Sequence, residues 1–529
     1  MHILFNARIF TFNSQDSCVT AIVMDGDRII FTGDDSAAIS IAPPGTKKED
    51  LKGKTIIPGL TDAHLHLEYY ALNHERVDCT TQSKQECLER VRVKVESQPP
   101  GSWILGHGWN QNEWGNNYGS LAELDTISPD HPVYLTQKSW HAGWANTKAL
   151  EISGIHRLTV DPPGGVIQRD ISGNPSGILL ESAKSLVERA IPKPSDKIVQ
   201  GAILNAQHKL LQMGITSIHD FDRKSCFSAL QALHQSQQLE LRVYKSIPVE
   251  SLLAADEIGL HSGFGDDMLK IGPVKIFADG ALGPQTAAML EPYENDPDNT
   301  GILLIDEDQL YEYGRISARN GLPLAVHAIG DKANNLAINA LERIRMYENQ
   351  YNLPHLRHRI EHVQLLNPAD INRIAESKLI ASMQPMHILS DMDTAQEHWG
   401  QRCKSAYLLK SLLNAGVCLA LGSDGPVENP NPFHGIYAAV TRRRVDGTPG
   451  PRGWYPQERL TIKDAFHGFT TGPSFASGME KKLGELSPGY LADLVVLPEN
   501  PFSMPADELR EITPIGTMVA GKWVYLNFS

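Results

Sequence analysis

Eight short apolar runs, spaced by helix-length stretches, restrict this 529-residue chain more than any other feature. They fall at 55–60, 215–219, 241–247, 269–277, 323–327, 359–362, 379–384 and 417–423, and each reads as a buried β-strand. Most are followed by apolar residues at helical spacing. In Asp331-Lys-Ala-Asn-Asn-Leu-Ala-Ile-Asn-Ala-Leu-Glu-Arg-Ile344 they recur at i, i+3, i+4 and i+7. Eight strand–helix units in succession predict an α/β fold, a (β/α)8 TIM-like barrel.

The ends of the chain follow a different rule. Ala21-Ile-Val-Met-Asp-Gly-Asp-Arg-Ile-Ile-Phe-Thr-Gly33 alternates around a turn at Asp25-Gly26, a hairpin pattern. Residues 491–497 and 515–525 are again strands divided by turn residues. The economical arrangement is a small β-sandwich domain built from residues 1–54 and 479–529, with the barrel at 55–478 between its halves. The gap after the first run is far longer than the others, so about 68–209 is expected to hold an inserted subdomain. It is rich in Trp, Asn and Gly, as in His107-Gly-Trp-Asn-Gln-Asn-Glu-Trp-Gly-Asn-Asn-Tyr118. An insertion leaving the end of the first strand is well placed to roof a site at the barrel mouth.

Composition removes several classes of function. A formal net charge of -14 argues against a nucleic-acid partner. No apolar run approaches the roughly 20 residues that span a bilayer, and the first residues read as a strand rather than a signal peptide. Cys18, Cys79, Cys87, Cys226, Cys403 and Cys418 are scattered without a Cys-x-x-Cys, which predicts reduced thiols and a cytoplasmic setting. A small-molecule substrate is the expected partner, with neither nucleic acid nor membrane.

The chemistry sits where the runs end. His64 and His66 stand in Thr-Asp-Ala-His-Leu-His, and Lys275, His327, His362 and Asp424 close or nearly close later runs. Imidazoles with a carboxylate and a buried lysine form a complete ligand set for one or two divalent ions. A lone His-x-His is weak evidence, since roughly one such spacing arises by chance in a chain with 20 histidines. Period-two spacing does put both rings on one side of an extended segment, with Asp62 on that side too. Taken singly, His327 and His362 read equally as core histidines bonded to backbone, and Asp424 as a helix cap. The joint pattern favours a metal centre, because strand C-terminal ends are where barrel enzymes keep their chemistry. Lys275, in Gly-Pro-Val-Lys-Ile-Phe-Ala-Asp-Gly280, bears a large desolvation penalty as a cation. One reading is an ion pair with Asp279 or a neighbouring carboxylate. The other is a lysine carboxylated on N6, whose carbamate supplies two oxygens to bridge metals.

These residues and their flanks resemble the amidohydrolase superfamily of metal-dependent hydrolases, in particular the amidohydrolase family 3 branch that includes N-substituted formamide deformylases. The resemblance rests on Pro58-Gly-Leu-Thr-Asp-Ala-His-Leu-His66, Gly214-Ile-Thr-Ser-Ile-His-Asp220, Val274-Lys-Ile-Phe-Ala-Asp-Gly280 and Val326-His-Ala-Ile-Gly-Asp-Lys332. Arg359-Ile-Glu-His362, Gly422-Ser-Asp-Gly-Pro426 and Gly484-Glu-Leu-Ser-Pro-Gly-Tyr-Leu-Ala-Asp-Leu494 carry it onward. It implies that His64, His66 and Asp424 hold one ion and His327 and His362 a second, with carboxylated Lys275 bridging. It implies Asp424 as the catalytic proton acceptor and donor, and hydrolysis of a non-peptide carbon–nitrogen bond; the ligand set suits zinc among other divalent ions, and zinc is the expected one. A homodimer is the expected assembly. Ester or lactone hydrolysis, decarboxylation at the same site, and an inactive barrel used as a binding module are the alternatives. The chain departs from the branch at Trp140 and at Gly283-Pro-Gln-Thr286. His141, Asn146, His219, His387 and Trp109 are candidates for substrate contact. For His141 and Asn146 the alternative is a buried hydrogen-bond pair, for His219 and His387 a structural role, and for Trp109 core packing.

Overall fold

A computed structural model describes residues 1–528 apart from positions 16, 112, 116 and 139–141. Eight parallel strands stand in sequential order: β1 (Leu60–Leu65), β2 (Ile215–Asp220), β3 (Arg242–Pro248), β4 (Leu269–Phe277), β5 (Leu324–Ala328), β6 (Arg359–His362), β7 (Ile380–Met383) and β8 (Cys418–Leu421). Each is in parallel register with the next. The segment after β8 brings the two ends of the sheet together. Leu65 bridges Gly425 in the parallel sense, and the His66 N–H donates to the Gly425 carbonyl at 2.9 Å. This is a nearly closed TIM-like barrel, as the alternating runs predict.

The first strand needs a correction. Residues 55–58 do not enter the barrel. Thr55–Pro58 lies between Arg8–Phe10 and Leu494–Leu497 in another sheet, and the barrel strand begins at Leu60. Both segments are wholly buried, so apolar character alone does not separate them. Gly59 makes the corner: a Cβ there would lie 2.2 Å from Thr216 Oγ1, so the chain passes this close only without a side chain.

Two further sheets draw on the chain ends. A four-stranded sheet has the order Arg28–Gly33, Ala21–Asp25, His2–Phe5, Lys47–Asp50. A six-stranded sheet has the order Lys522–Leu526, Gly516–Val519, Leu494–Leu497, Thr55–Pro58, Arg8–Phe10, Cys18–Val19. Leu4, Ile22 and Met24 of the first pack with Ile56, Leu494 and Val496 of the second in one apolar cluster. The latter sheet is tied to the start of β3 by a buried bidentate pair. Arg242 Nε donates to Asp493 Oδ2 at 2.6 Å and Nη2 to Oδ1 at 2.9 Å.

Around the barrel, helix faces cover the strands. In α1 (Asp331–Gln350) the buried face includes Ala333, Leu336, Ala337, Ala340, Leu341 and Ile344, the helical repeat expected from sequence. Leu341 and Ile344 share one apolar cluster with Val274, Ile276, Leu324 and Val326 of β4 and β5. Each such side chain contributes roughly 1.5–3 kcal/mol over its exposed state, which makes the strands a rigid frame for whatever stands at their ends.

The described residues form two compact units, Met1–Tyr70 with Ile203–Ser529, and Ala71–Ala202. The second has a six-stranded sheet in the order Gly165–Arg169, Pro175–Glu181, Ala142–Ala145, Val133–Gln137, Ile104–Trp109, Val77–Asp78. Its core stacks Trp109 on Trp114 at 6.1 Å, with Trp144 edge-on to both. No helix among the described residues is long and apolar enough to cross a membrane, and the six cysteines are free.

Candidate metal centre

Parallel strands deliver their C-terminal ends to one rim. His64 is the penultimate residue of β1 and His327 of β5, while His362 ends β6. His66 and Asp424 follow β1 and β8. The backbone turns sharply here: His362 has φ 75°, Val363 45° and Asp424 60°. Left-handed geometry at residues with a Cβ costs roughly 1–3 kcal/mol each and persists where surrounding structure holds it.

The side chains converge on Asp424. His64 Nε2 and His66 Nε2 each lie 3.5 Å from Asp424 Oδ1, and His387 Nε2 lies 3.5 Å from Oδ2. The ligand atoms of His64, His66 and Asp424 fall within 4.8 Å of one another, as do those of His362, His387 and Asp424. Ring centroids of His64 and His362 are 4.9 Å apart, and those of His362 and His327 are 4.5 Å apart.

Hydrogen bonds on the far ring nitrogens decide the tautomers. His64 Nδ1–H donates to Glu361 Oε2 at 2.6 Å, His66 Nδ1–H to Asp222 Oδ1 at 3.0 Å, and His362 Nδ1–H to Gln384 Oε1 at 2.8 Å. Each bond leaves Nε2 with the free lone pair. His64 Nε2 is buried and has no hydrogen-bond partner among the described residues. A lone pair facing a carboxylate oxygen with no proton between them is unfavourable, and a divalent cation resolves it. Donors about 2.0–2.1 Å from a tetrahedral zinc stand roughly 3.3 Å from each other, close to the 3.5 Å found here. The residues therefore fit a divalent ion.

Electrostatics agree. Burial, helped by the Lys275 charge, lowers the His64 pKa to about 4 and that of His327 to about 3, so both rings are neutral at pH 7. Burial alone would raise Asp424. The hydrogen bond to His387 and attraction to His64 and His362 outweigh it and hold the carboxyl well below its usual range. At His66 burial is outweighed by Asp222 and Asp424, which favour positive charge at that point.

Lys275 is 5% exposed. Among the described residues no carboxylate lies within ion-pairing distance of its Nζ. Asp279, the partner considered from sequence, instead accepts N–H groups from Ala288, Ile329 and Gly330 at 2.8–3.0 Å. Lys275 Nζ lies over the rings of Phe221 and Phe277, at 4.7 and 5.0 Å. Burial lowers its pKa to about 8, which leaves about a tenth of it as free amine at pH 7.

The remaining candidates divide. His387 belongs to the cluster, with Nδ1 also 3.5 Å from Glu428. His327 is adjacent, but its Nε2–H donates to the Gly280 carbonyl at 2.9 Å. His219 is engaged elsewhere, its Nδ1 accepting from Arg359 at 2.7 Å. Trp109 is fully buried in its own unit and donates to the Leu135 carbonyl at 2.8 Å. Asn146 caps the helix Thr147–Ile152 and donates to the His131 carbonyl at 2.8 Å. His141, with Trp140, lies outside the described residues. In a further acidic group, Asp220 with Asp222 and Cys226, Asp220 is paired with Lys245, whose Nζ is 2.8 Å from its Oδ2, and Asp222 bonds His66.

Sequence reasoning passed over Glu361, Asp222 and Gln384, which accept hydrogen bonds from the candidate ligand rings. A faint signal exists for the first: Arg359 and Glu361 are two charges at period-two spacing inside a short buried strand.

Comparisons with known proteins point the same way. The amidohydrolase family is matched over residues 48–525. The Arabidopsis thaliana protein LONG AFTER FAR-RED 3 is 33% identical over 98% of this chain and 91% of its own. The N-substituted formamide deformylase of Arthrobacter pascens is 28% identical over 98% of this chain and 97% of its own. The crystal structure of an uncharacterized metal-dependent hydrolase from Pyrococcus furiosus superposes with a TM-score of 0.80 at 30% identity, covering 95% of this chain and all of that one.

Proposed function

The chain belongs to the amidohydrolase family, and from that premise we propose that it hydrolyses a non-peptide carbon–nitrogen bond, amide or formamide-like, in a small molecule. The observation that carries this reading is the orphaned Nε2 of His64 beside Asp424 Oδ1. His64, His66 and Asp424 would hold one divalent ion, zinc by its preference for nitrogen and oxygen donors. His327 and His362, with Lys275 carboxylated on N6, would hold a second. Bound there, the metal supplies Lewis acidity, making water a better nucleophile near pH 7 and polarising a carbonyl.

The protein's own groups do the rest. Asp424 is ionised and takes a proton from the attacking water, then returns it to the leaving nitrogen. His387 stands 3.5 Å from the other carboxylate oxygen, Oδ2, and fixes the plane of the carboxylate. Burial of Lys275 favours the neutral amine that carboxylation requires, and outweighs the attraction that the Phe221 and Phe277 ring faces offer the cation. A cytoplasmic setting accords with six free thiols.

The test pairs metal analysis of the purified protein with a panel of N-substituted formamides, N-acyl amino acids, ureas and esters. Bound divalent metal together with turnover of a carbon–nitrogen substrate is expected. Metal-free protein with no turnover on added zinc, or turnover confined to esters, overturns the reading.

A further inference from the structure

We infer that Arg359 and Glu361 are positioning residues that together fix the ligating orientation of His64, by holding its ring through one oxygen and its backbone through one guanidinium. This rests on the metal reading above.

The network runs through the barrel interior below the rim. Arg359 and Glu361 are 1% and 0% exposed. Arg359 Nε donates to Glu361 Oε1 at 2.5 Å and Nη2 to Oε2 at 2.9 Å. Oε2 is also the atom that accepts the His64 Nδ1–H. Arg359 Nη2 further donates to the carbonyl of Ala63, the residue before His64, at 2.6 Å, and to Ser382 Oγ at 2.5 Å. Its Nη1 donates to His219 Nδ1. One arginine on β6 thus reaches β1, β2 and β7, and grips His64 from two directions.

A buried ion pair is a poor way to add stability. Desolvating two charges costs about what their attraction returns, and apolar groups of similar volume do as well or better. Its chemical value lies in what an anionic acceptor does to an imidazole. A carboxylate takes the Nδ1 proton more strongly than an amide does, which fixes the tautomer and makes Nε2 a better donor. His362 has only the neutral Gln384 in the same place. The arginine meets both oxygens of Glu361, so the carboxylate is held in place at the point where it meets the His64 ring.

Cobalt(II) serves as the probe, titrated into metal-stripped full-length protein and read by visible absorption, alongside the melting temperature of the metal-free form. Glu361→Gln should weaken the first binding event roughly 10–100-fold and alter its d–d bands. Should that variant fail to fold around an unpaired guanidinium, the charge-balanced Arg359→Met/Glu361→Gln double variant decides. It should melt near the wild type when metal-free and still bind 10–100-fold more weakly. A folded variant that binds cobalt as tightly as wild type, with the same spectrum, overturns the inference and leaves the hydrolase reading standing. A wild-type chain that binds no divalent ion overturns both.

Discussion

The Asp424 N–H donates to the His64 carbonyl at 2.7 Å, while their side chains face each other at 3.5 Å between Oδ1 and Nε2. One backbone bond therefore joins the last strand's exit to the first strand and sets the spacing of two candidate ligands. The left-handed φ of Asp424 turns its carboxylate inward at the same point. The same contact that helps close the barrel brings two candidate ligands together.

Asp424→Asn should keep the fold, since the backbone bond survives, and remove both the proton acceptor and a charged donor to the metal. Turnover is expected to fall about 10²–10⁴-fold, with melting temperature nearly unchanged. Activity equal to wild type on every substrate turned over would refute the assignment.

Lys275→Ala should lose metal, because the bridging oxygens go with the side chain. Short-chain carboxylates added at millimolar concentration should restore part of the metal content and activity. Unchanged metal stoichiometry in the variant would exclude a carboxylated lysine as ligand.

Asp493→Ala should destabilise the protein by about 3–5 kcal/mol, read as a lower urea midpoint, because Arg242 is left charged and buried without its partner. Replacing both, as Arg242→Met/Asp493→Leu, should recover most of that loss. A single variant as stable as wild type would show that the pair does not tie β3 to the terminal sheet.

His358 offers a pH test away from the ligands. Its Nδ1 accepts the Leu324 N–H and its Nε2–H donates to Glu348, both at 3.0 Å. Burial lowers its pKa below the ordinary imidazole value. The folded ring resists a proton that the unfolded chain accepts, so its contribution is complete above about pH 6.5 and is lost as pH falls below that value. The slope is at most about 1.4 kcal/mol per pH unit. The urea midpoint should drop between pH 7 and pH 5.5, and drop less in His358→Gln. Parallel profiles would remove His358 as the cause.

Much of the fold was legible because burial on both faces leaves strands as short apolar runs, and the helices between them repeat on a 3.6-residue period. The first strand was misplaced because two buried segments, Thr55–Pro58 and Leu60–Leu65, adjoin across Gly59 with no polar break. Only the partner strands tell them apart. Among site residues, His64, His66, His362, His387 and Asp424 are brought together. Asn146 and His219 show what the sequence conceals: each is a polar residue whose hydrogen bonds are spent on a helix cap or a buried arginine.

What the sequence determined by itself is the kind of residue at each strand end, because local pattern decides whether a segment is extended and buried, and which chemistry it carries. Which nitrogen each histidine presents, and what holds it there, was decided by the tertiary structure. Glu361, Asp222 and Gln384 come from other strands and loops, and hydrogen bonds between distant segments depend on register and barrel closure, which no local pattern records.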